Sequence, residues 1–191
     1  MTLPPIERSI VVGWDQQAAF RRFALEFSNW WPWRTHSVGA ERVKRVVLEP
    51  TVGGRIFEVH GDGRRFQWGE ILEWDPPKRL KFTFHAGRSP QSAQEVEIRF
   101  VPLGRSTRVE LVATKWEQWG PGAARARRGY NLGWSYILNL WAGRRTARIL
   151  VVDAMMGAAR FVSWLRGGTA GEISRAGGEI APAHPSSPGG S

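Results

Sequence analysis

The 191-residue chain contains no cysteine and only four histidines. Without cysteine it can form no disulfide, no thiolate nucleophile and no cysteine-ligated metal site. The histidines, at positions 36, 60, 85 and 184, lack the paired spacing of a metal site, so we predict neither a metal nor a cofactor. No serine lies in a nucleophile-elbow motif, and no glycine-rich stretch carries the lysine of a phosphate-binding loop. The sequence therefore favours binding over catalysis, although it leaves enzyme activity open.

A secretory signal is also missing from the opening residues MTLPPIERSI, which favours the cytoplasm. The most apolar stretch, 146–168, is interrupted by Asp153 and Arg160 and is short for a membrane span, so we expect no transmembrane segment. We expect it to form an extra helix that packs on the domain, on a protein partner or on a second copy of the chain. The glycine- and proline-rich stretch 169–191 is typical of a disordered tail.

The charge is strongly positive, with a formal net charge of +10 and a pI of about 11.2. Such a balance can indicate a nucleic-acid or anionic-membrane partner. The basic residues are mostly arginines spread along the chain, however, and no nucleic-acid-binding motif accompanies them. We therefore predict no specific nucleic-acid binding.

Short alternating stretches between Ile6 and Thr114 predict about seven strands, and the tight turns between most of them indicate an antiparallel sheet. A helix is predicted at 15–27, with Asp15 as its N-cap and phenylalanines along one face. A longer amphipathic helix is predicted at 124–145. These elements predict one α+β domain, 1–145, whose curved sheet wraps around the long C-terminal helix.

Three phrases carry a family resemblance: the early NWW, GEILEWDPPKRLKFTF, and GYNLGWSYILNL in the last helix. In this order they resemble bacterial relatives of the activator of the ninety-kilodalton heat-shock protein ATPase, within the START-like or SRPBCC superfamily. The resemblance covers about 6–145 and implies a helix-grip fold with a cavity between the sheet and the C-terminal helix. Members of the superfamily include lipid carriers, polyketide cyclases and co-chaperone domains, so the resemblance does not fix an activity.

Eleven tryptophans are the strongest compositional signal, and three of them lie in the phrase SNWWPWRTHS. Pro32 ends the preceding helix there and turns successive rings in different directions. These rings either form part of the wall or lid of the helix-grip cavity, near its entrance, or plug the end of the core. The predicted ligand-binding residues are Trp30, Trp31, Trp33, Trp68, Glu70, Leu72, Phe82, Trp116, Trp119, Trp134, Leu138 and Trp141.

Glu70 is the predicted polar anchor because strand alternation places it on the face of Trp68 and Leu72. Pairing with an arginine, or a β-bulge that moves Glu70 outward, would remove that role. Arg125, Arg127 and Arg128 open the last helix, where they would attract an anion unless they simply form a solvated face.

Three hypotheses about function follow. The first is binding of a small hydrophobic molecule, aromatic or lipid-like, in the cavity between sheet and helix. The second is a cyclase or aromatase, which requires at least two polar side chains converging in the pocket, with Glu58 or His60 joining Glu70. The third is a co-chaperone-like interaction module.

Overall fold

A computed structural model describes residues 2–144 and, for the backbone alone, 179–180. The strands are Ile6–Val12 (β1), Val43–Leu48 (β2), Arg55–His60 (β3), Arg65–Asp75 (β4), Arg79–Phe84 (β5), Gln94–Leu103 (β6), Ser106–Thr114 (β7) and Glu179–Ile180 (β8). The α-helices are Gln16–Phe20 (α1), Phe27–Trp30 (α2) and Ala123–Trp141 (α3). A π-helical turn spans Arg21–Leu25, and 3₁₀ turns span Ala40–Arg42, Pro90–Ser92 and Trp116–Gly122.

The sheet is antiparallel, and its strands follow the order β1-β7-β6-β5-β4-β3-β2. Strand β1 pairs with β7, although five strands lie between them in the sequence. Ile6 lies opposite Ala113. Strand β2 forms the other edge. This α+β arrangement around the long helix confirms the predicted helix-grip class.

The first helical segment begins where the sequence predicts. The carboxylate of Asp15 accepts a hydrogen bond from the backbone N of Ala18 at 2.7 Å, which caps α1. The segment then passes through the π-helical turn and continues to Trp30, three residues beyond the predicted end. Its apolar face is buried against the sheet and α3 through Phe20, Phe23 and Phe27.

Helix α3 packs on the concave side of the sheet. It buries Trp134, Ile137, Leu138 and Trp141, which recur at helical spacing. On its flank, Nε of Arg8 in β1 donates to the hydroxyl of Ser135 at 2.6 Å. The helix is therefore fixed to the β1 edge of the sheet, and the space that remains lies toward the other edge.

Two bulges in β4 change which side chains reach the interior. The register with β3 shifts between the pairs Ile56–Gly69 and Phe57–Gln67, so Trp68 has no direct partner. The register with β5 shifts again around Leu72. Each extra residue reverses the alternation of faces along the strand.

Within 169–191, the predicted disordered tail, Glu179–Ile180 pairs with the start of β4. The rest of that tail and the predicted helix at 146–168 lie outside the described residues. None of the described helices has the length and apolar character needed to cross a membrane.

Candidate functional site

A cavity of about 290 Å³ lies between α3, the segment that follows α2 and the end of β5, and we call it the inner cavity. Its wall is mostly aromatic and aliphatic. The lining residues are Trp31, His36, Ser37, Val38, Phe84, Ala86, Gly87, Tyr130, Gly133, Trp134 and Ile137.

A second cavity of about 630 Å³ adjoins the first and is wider and more open, and we call it the outer cavity. Its lining residues are His36, Arg88, Trp119, Gly122, Arg125, Ala126, Gly129, Tyr130 and Gly133. The two cavities share His36, Tyr130 and Gly133. Both cavities lie beside α3, and the outer one is the more open of the two.

Two glycines in α3 create room for these cavities. Gly129 and Gly133 are four residues apart, so they lie on one face of the helix. A Cβ atom built on either glycine would meet no other atom within 4 Å. The missing side chains therefore leave open space beside the helix, and Gly133 borders both cavities.

Trp31 forms the wall between the inner cavity and the core. Its side chain is buried, and its Nε1 donates to the carbonyl of His36 at 2.8 Å, which closes the segment 31–36 into a compact loop. Its ring lies 5.4 Å from that of Trp68 and 5.9 Å from that of Phe84. The core thus supports Trp31 from behind while one part of the ring faces the cavity.

Glu58, in β3, anchors the next part of the same wall. Its fully buried carboxylate accepts hydrogen bonds from the backbone N of Val38 at 2.9 Å and of Gly39 at 2.7 Å. It also accepts from Nε1 of Trp68 at 3.0 Å and lies 2.6 Å from Nε2 of His60. These donors satisfy the buried charge, so Glu58 holds the cavity wall in place without lining the cavity itself.

Tyr130 borders both cavities and carries a polar hydroxyl group. Among residues 2–144, no group forms a hydrogen bond with its hydroxyl, and burial raises the pKa of Tyr130 to about 12 despite the opposing charge of Arg88. The hydroxyl therefore keeps its proton at neutral pH and can donate it to a ligand oxygen.

Arg88 and Trp119 both line the outer cavity and pack against each other. The guanidinium carbon of Arg88 lies 3.8 Å from the centre of the Trp119 ring, which is a close cation–π contact. The turn that carries Arg88 is held by His85, whose Nδ1 donates to the Arg88 carbonyl at 2.9 Å. Burial lowers the pKa of His85, which favours the neutral ring.

His36 borders both cavities from the other side. Its ring stacks on that of Tyr136 with a centroid distance of 4.9 Å and an interplanar angle of 10°. Its Nδ1 lies 2.9 Å from the hydroxyl of Thr35. Its position is therefore fixed by α3 as well as by its own loop.

Three of the predicted tryptophans line the cavities: Trp31, Trp119 and Trp134. The other predicted aromatic and aliphatic residues pack in or against the core without lining either cavity; they are Trp30, Trp33, Trp68, Phe82, Trp116, Leu138 and Trp141. Within the tryptophan-rich phrase, Trp31 thus lines the inner cavity, while Trp30 and Trp33 are half-buried and pack against the core.

Glu70 and Leu72 depart from their expected positions. The first bulge in β4 turns the side chain of Glu70 to the exposed outer face, so it does not line the pocket. Leu72 lies at the second bulge, is half-buried and lines neither cavity. The competing possibility of a bulge was therefore the correct one for Glu70.

The three arginines of α3 separate in space. Arg125 and Arg128 are both exposed, but only Arg125 lines the outer cavity. Arg127 donates to the carbonyls of Pro4 at 2.6 Å and Pro5 at 2.9 Å, so it ties the N-terminal segment to the helix.

Several lining residues were not predicted from the sequence, namely His36, Arg88, Gly129, Tyr130 and Gly133. A signal existed for the glycines, because two of them four apart on a helix face indicate a close approach or an open space. No such signal existed for Arg88. Among the described residues, no group of histidine and acidic side chains could hold a metal ion.

Comparison with known proteins agrees with this architecture. The family model described as Activator of Hsp90 ATPase homolog 1-like protein matches residues 24–140. Among curated proteins, none matches the chain significantly.

Several solved structures are similar. The self-sacrificing resistance protein CalC from Micromonospora echinospora is 31% identical, with a TM-score of 0.57 over 73% of this chain and 92% of its own. The Aha1 dimer from Colwellia psychrerythraea is 14% identical, with a TM-score of 0.50 over 71% and 91%, and this likeness concerns the fold alone. Txn09, described as an anthrahydroquino-gamma-pyrone synthase, is 35% identical over 68% and 88% of the two chains, with a TM-score of 0.46.

Proposed function

The chain belongs to the family of Activator of Hsp90 ATPase homolog 1-like proteins, and we propose that it binds a small hydrophobic molecule, aromatic or lipid-like, in the inner cavity. One observation carries this proposal: an aromatic-lined cavity remains beside a well-packed core. The two adjoining volumes, about 290 Å³ and about 630 Å³, compare with the roughly 300–1,000 Å³ of ordinary ligand pockets.

The chemistry of the wall supports an aromatic guest. Trp31, Phe84 and Trp134 offer ring faces and edges, which favour offset or edge-on contact with another ring. The hydroxyl of Tyr130 is the polar group best placed to orient such a ligand, in place of Glu70. A cavity of this kind gains affinity chiefly from apolar area removed from water.

A neutral fluorescent probe tests the proposal. N-phenyl-1-naphthylamine has no charge and becomes bright when it leaves water, so its titration measures the apolar cavity alone. We expect saturable binding by the full chain, and we expect Gly133→Leu to weaken it by about tenfold or more, because the new side chain occupies the space beside α3.

The matched control is Ala124→Leu, which adds the same side chain at an exposed position of the same helix. It is expected to bind the probe like the unmodified chain. If both variants bind equally well, the probe does not occupy the cavity and the proposal fails.

Cyclase or aromatase activity is the second candidate, and one observation favours it. His36 and Tyr130 border the same cavity, so two polar side chains converge where a folded reactive chain could lie. Glu58 and His60, by contrast, are buried outside the cavity lining. Incubation with a linear poly-β-ketone thioester mimic tests this candidate: cyclised, dehydrated product that disappears in Tyr130→Phe supports it, and unchanged substrate contradicts it.

A homodimer or protein partner involving 146–166 remains a proposal, because that stretch lies outside the described residues. Sedimentation of the full chain tests the dimer, since a monomer at micromolar concentration contradicts it. The cytoplasmic location also stays a prediction, and fractionation of the source cells tests it.

A further inference from the structure

The lining of the outer cavity includes two arginines and no carboxylate. Arg88 and Arg125 both face it, and none of its lining residues is an aspartate or glutamate. An open cavity with this composition carries a positive potential that is not neutralised from within.

These two arginines differ from most of the arginines on the sheet. Arg55, Arg79 and Arg99, for example, each form an ion pair with a glutamate. Within the part of the chain that the structure describes, neither Arg88 nor Arg125 has an acidic partner within 4.0 Å. Arg88 makes a weak hydrogen bond to the Ser92 hydroxyl at 3.3 Å, and its guanidinium otherwise rests on Trp119. Its remaining N–H groups are thus available to a ligand.

Two further donors lie in the same wall. The Nε1 atom of Trp119 is buried and finds no acceptor among the described residues. Tyr130 is half-buried, and its hydroxyl forms no hydrogen bond with the described residues. A buried donor without an acceptor costs free energy, so an acceptor-rich ligand group at this place would satisfy several donors at once.

We propose that the outer cavity is an anion site, and that the ligand is an aromatic acid whose carboxylate or sulfonate binds Arg88 and Arg125 while its rings occupy the inner cavity. This inference rests on the proposed function, because it names the chemical class of the same ligand. The planar guanidinium of Arg88 suits a two-oxygen anion, and its stacking on Trp119 reduces the entropy lost on binding.

A pair of probes that differ by one group tests the site. The anion 8-anilinonaphthalene-1-sulfonate shares the ring system of neutral N-phenyl-1-naphthylamine and adds a sulfonate. In Arg88→Gln and Arg125→Gln we expect the affinity for the sulfonate probe to fall by about tenfold each. The affinity for the neutral probe should change by less than about twofold, which also shows that each variant is folded.

Two further variants sharpen the result. Arg128→Gln removes the same charge from an exposed position of α3 that lines neither cavity, and it should leave both affinities unchanged. Arg88→Lys keeps the charge and should retain part of the preference for the sulfonate probe. Added salt should weaken the sulfonate probe more than the neutral one.

The failures are distinguishable. If the arginine variants weaken both probes equally, or if Arg128→Gln weakens the sulfonate probe as much as they do, the anion site is refuted while the apolar cavity stands. If neither probe binds the unmodified chain, or if Gly133→Leu binds both as well as that chain does, the proposed function fails and this inference fails with it.

Discussion

The carboxylate of Glu58 accepts a hydrogen bond from the backbone N of Gly39 at 2.7 Å, which joins strand β3 to the segment that walls the inner cavity. Gly39 lies outside regular strand structure, so its position depends on this buried acid rather than on a ladder of strand hydrogen bonds. The shape of the cavity therefore depends on a residue that does not line it. Substitutions at Glu58 and at Gly39 should therefore both affect this wall.

Replacement of Glu58 by glutamine should lower the free energy of unfolding by about 2–4 kcal/mol. The amide offers one acceptor oxygen instead of two and directs an NH₂ group at donors from Val38, Gly39 and Trp68. Urea denaturation measures the loss. Glu70→Gln is the control, because Glu70 is exposed, and its effect should stay within about 0.5 kcal/mol. Equal effects of the two changes would contradict the anchoring role of Glu58.

A methyl group at Gly39 should be poorly tolerated. A Cβ atom there would overlap the imidazole of His60 and lie 3.0 Å from Oε1 of Glu58, both of which are buried. Gly39→Ala should therefore lower the melting temperature and cost about 1–3 kcal/mol. Gly13→Ala provides the comparison, since its Cβ would meet nothing within 4 Å. A Gly39→Ala protein as stable as Gly13→Ala would show that the loop can move away.

Alanine at Gly129 or Gly133 should have the opposite effect on stability. Both positions lie inside α3 and both have open space around the added methyl. Each change should raise the free energy of unfolding by about 0.5–1 kcal/mol, because glycine is a poor residue for a helix interior. Thermal unfolding of the two variants and of the unmodified chain provides the measurement. A fall in stability at either position would mean that the space is smaller than the structure indicates.

His85 should make stability depend on pH. Burial lowers the pKa of His85 from its ordinary value of about 6.5, so the unfolded chain takes up this proton at a higher pH than the folded chain does. The free energy of unfolding should then fall as pH drops through about 6.5, and this contribution should level off below the folded pKa.

The comparison for His85 is His85→Asn. Its amide can still donate to the Arg88 carbonyl but does not titrate, so its stability should fall less between about pH 7.5 and about pH 5.5. Denaturant unfolding at both pH values measures the difference. The same pH dependence in both proteins would show that the other histidines and the acidic groups account for it.

The hydroxyl of Tyr130 should lose its proton at a higher pH than that of an ordinary tyrosine. The chain has two tyrosines, so in Tyr136→Phe the near-ultraviolet absorbance reports Tyr130 alone. In the folded protein its midpoint should lie at about 12, because burial opposes the phenolate, whereas urea-unfolded protein should titrate near its ordinary value of about 10. Far-ultraviolet circular dichroism at each pH confirms that the chain is still folded. A midpoint near the ordinary value in folded protein would mean that water reaches the hydroxyl freely.

The elements were predictable where local pattern and packing agree. Strand β1 was expected at Ile6–Val12 and is found there, since its alternating side chains suit a sheet with one buried face. Helix α3 was expected from the stripe that includes Trp134 and Leu138, which the structure buries. The order of these elements predicted a sheet that wraps the last helix, and the family resemblance added the expectation of a cavity between them.

The orientation of Glu70 could not be read from alternation. A bulge depends on how β4 pairs with β3, and one extra residue turns every following side chain to the opposite face. Gly69, beside the bulge, is the one sequence signal for it, because a glycine inside a strand often marks a bulge or a close backbone approach. The prediction for Glu70 was wrong because it assumed unbroken alternation through Gly69.

By itself, the amino-acid sequence determined the fold class, the abundance of indole rings and the absence of thiol chemistry, because these follow from composition and from periods of two and 3.6 residues. Only the tertiary structure decided which rings border open space. His36, Arg88 and Gly133 come from three distant segments, and they meet because the sheet curves around α3. Whether a tryptophan fills the core or lines a cavity depends on the volume its neighbours leave, and that volume is fixed only when all the segments pack together.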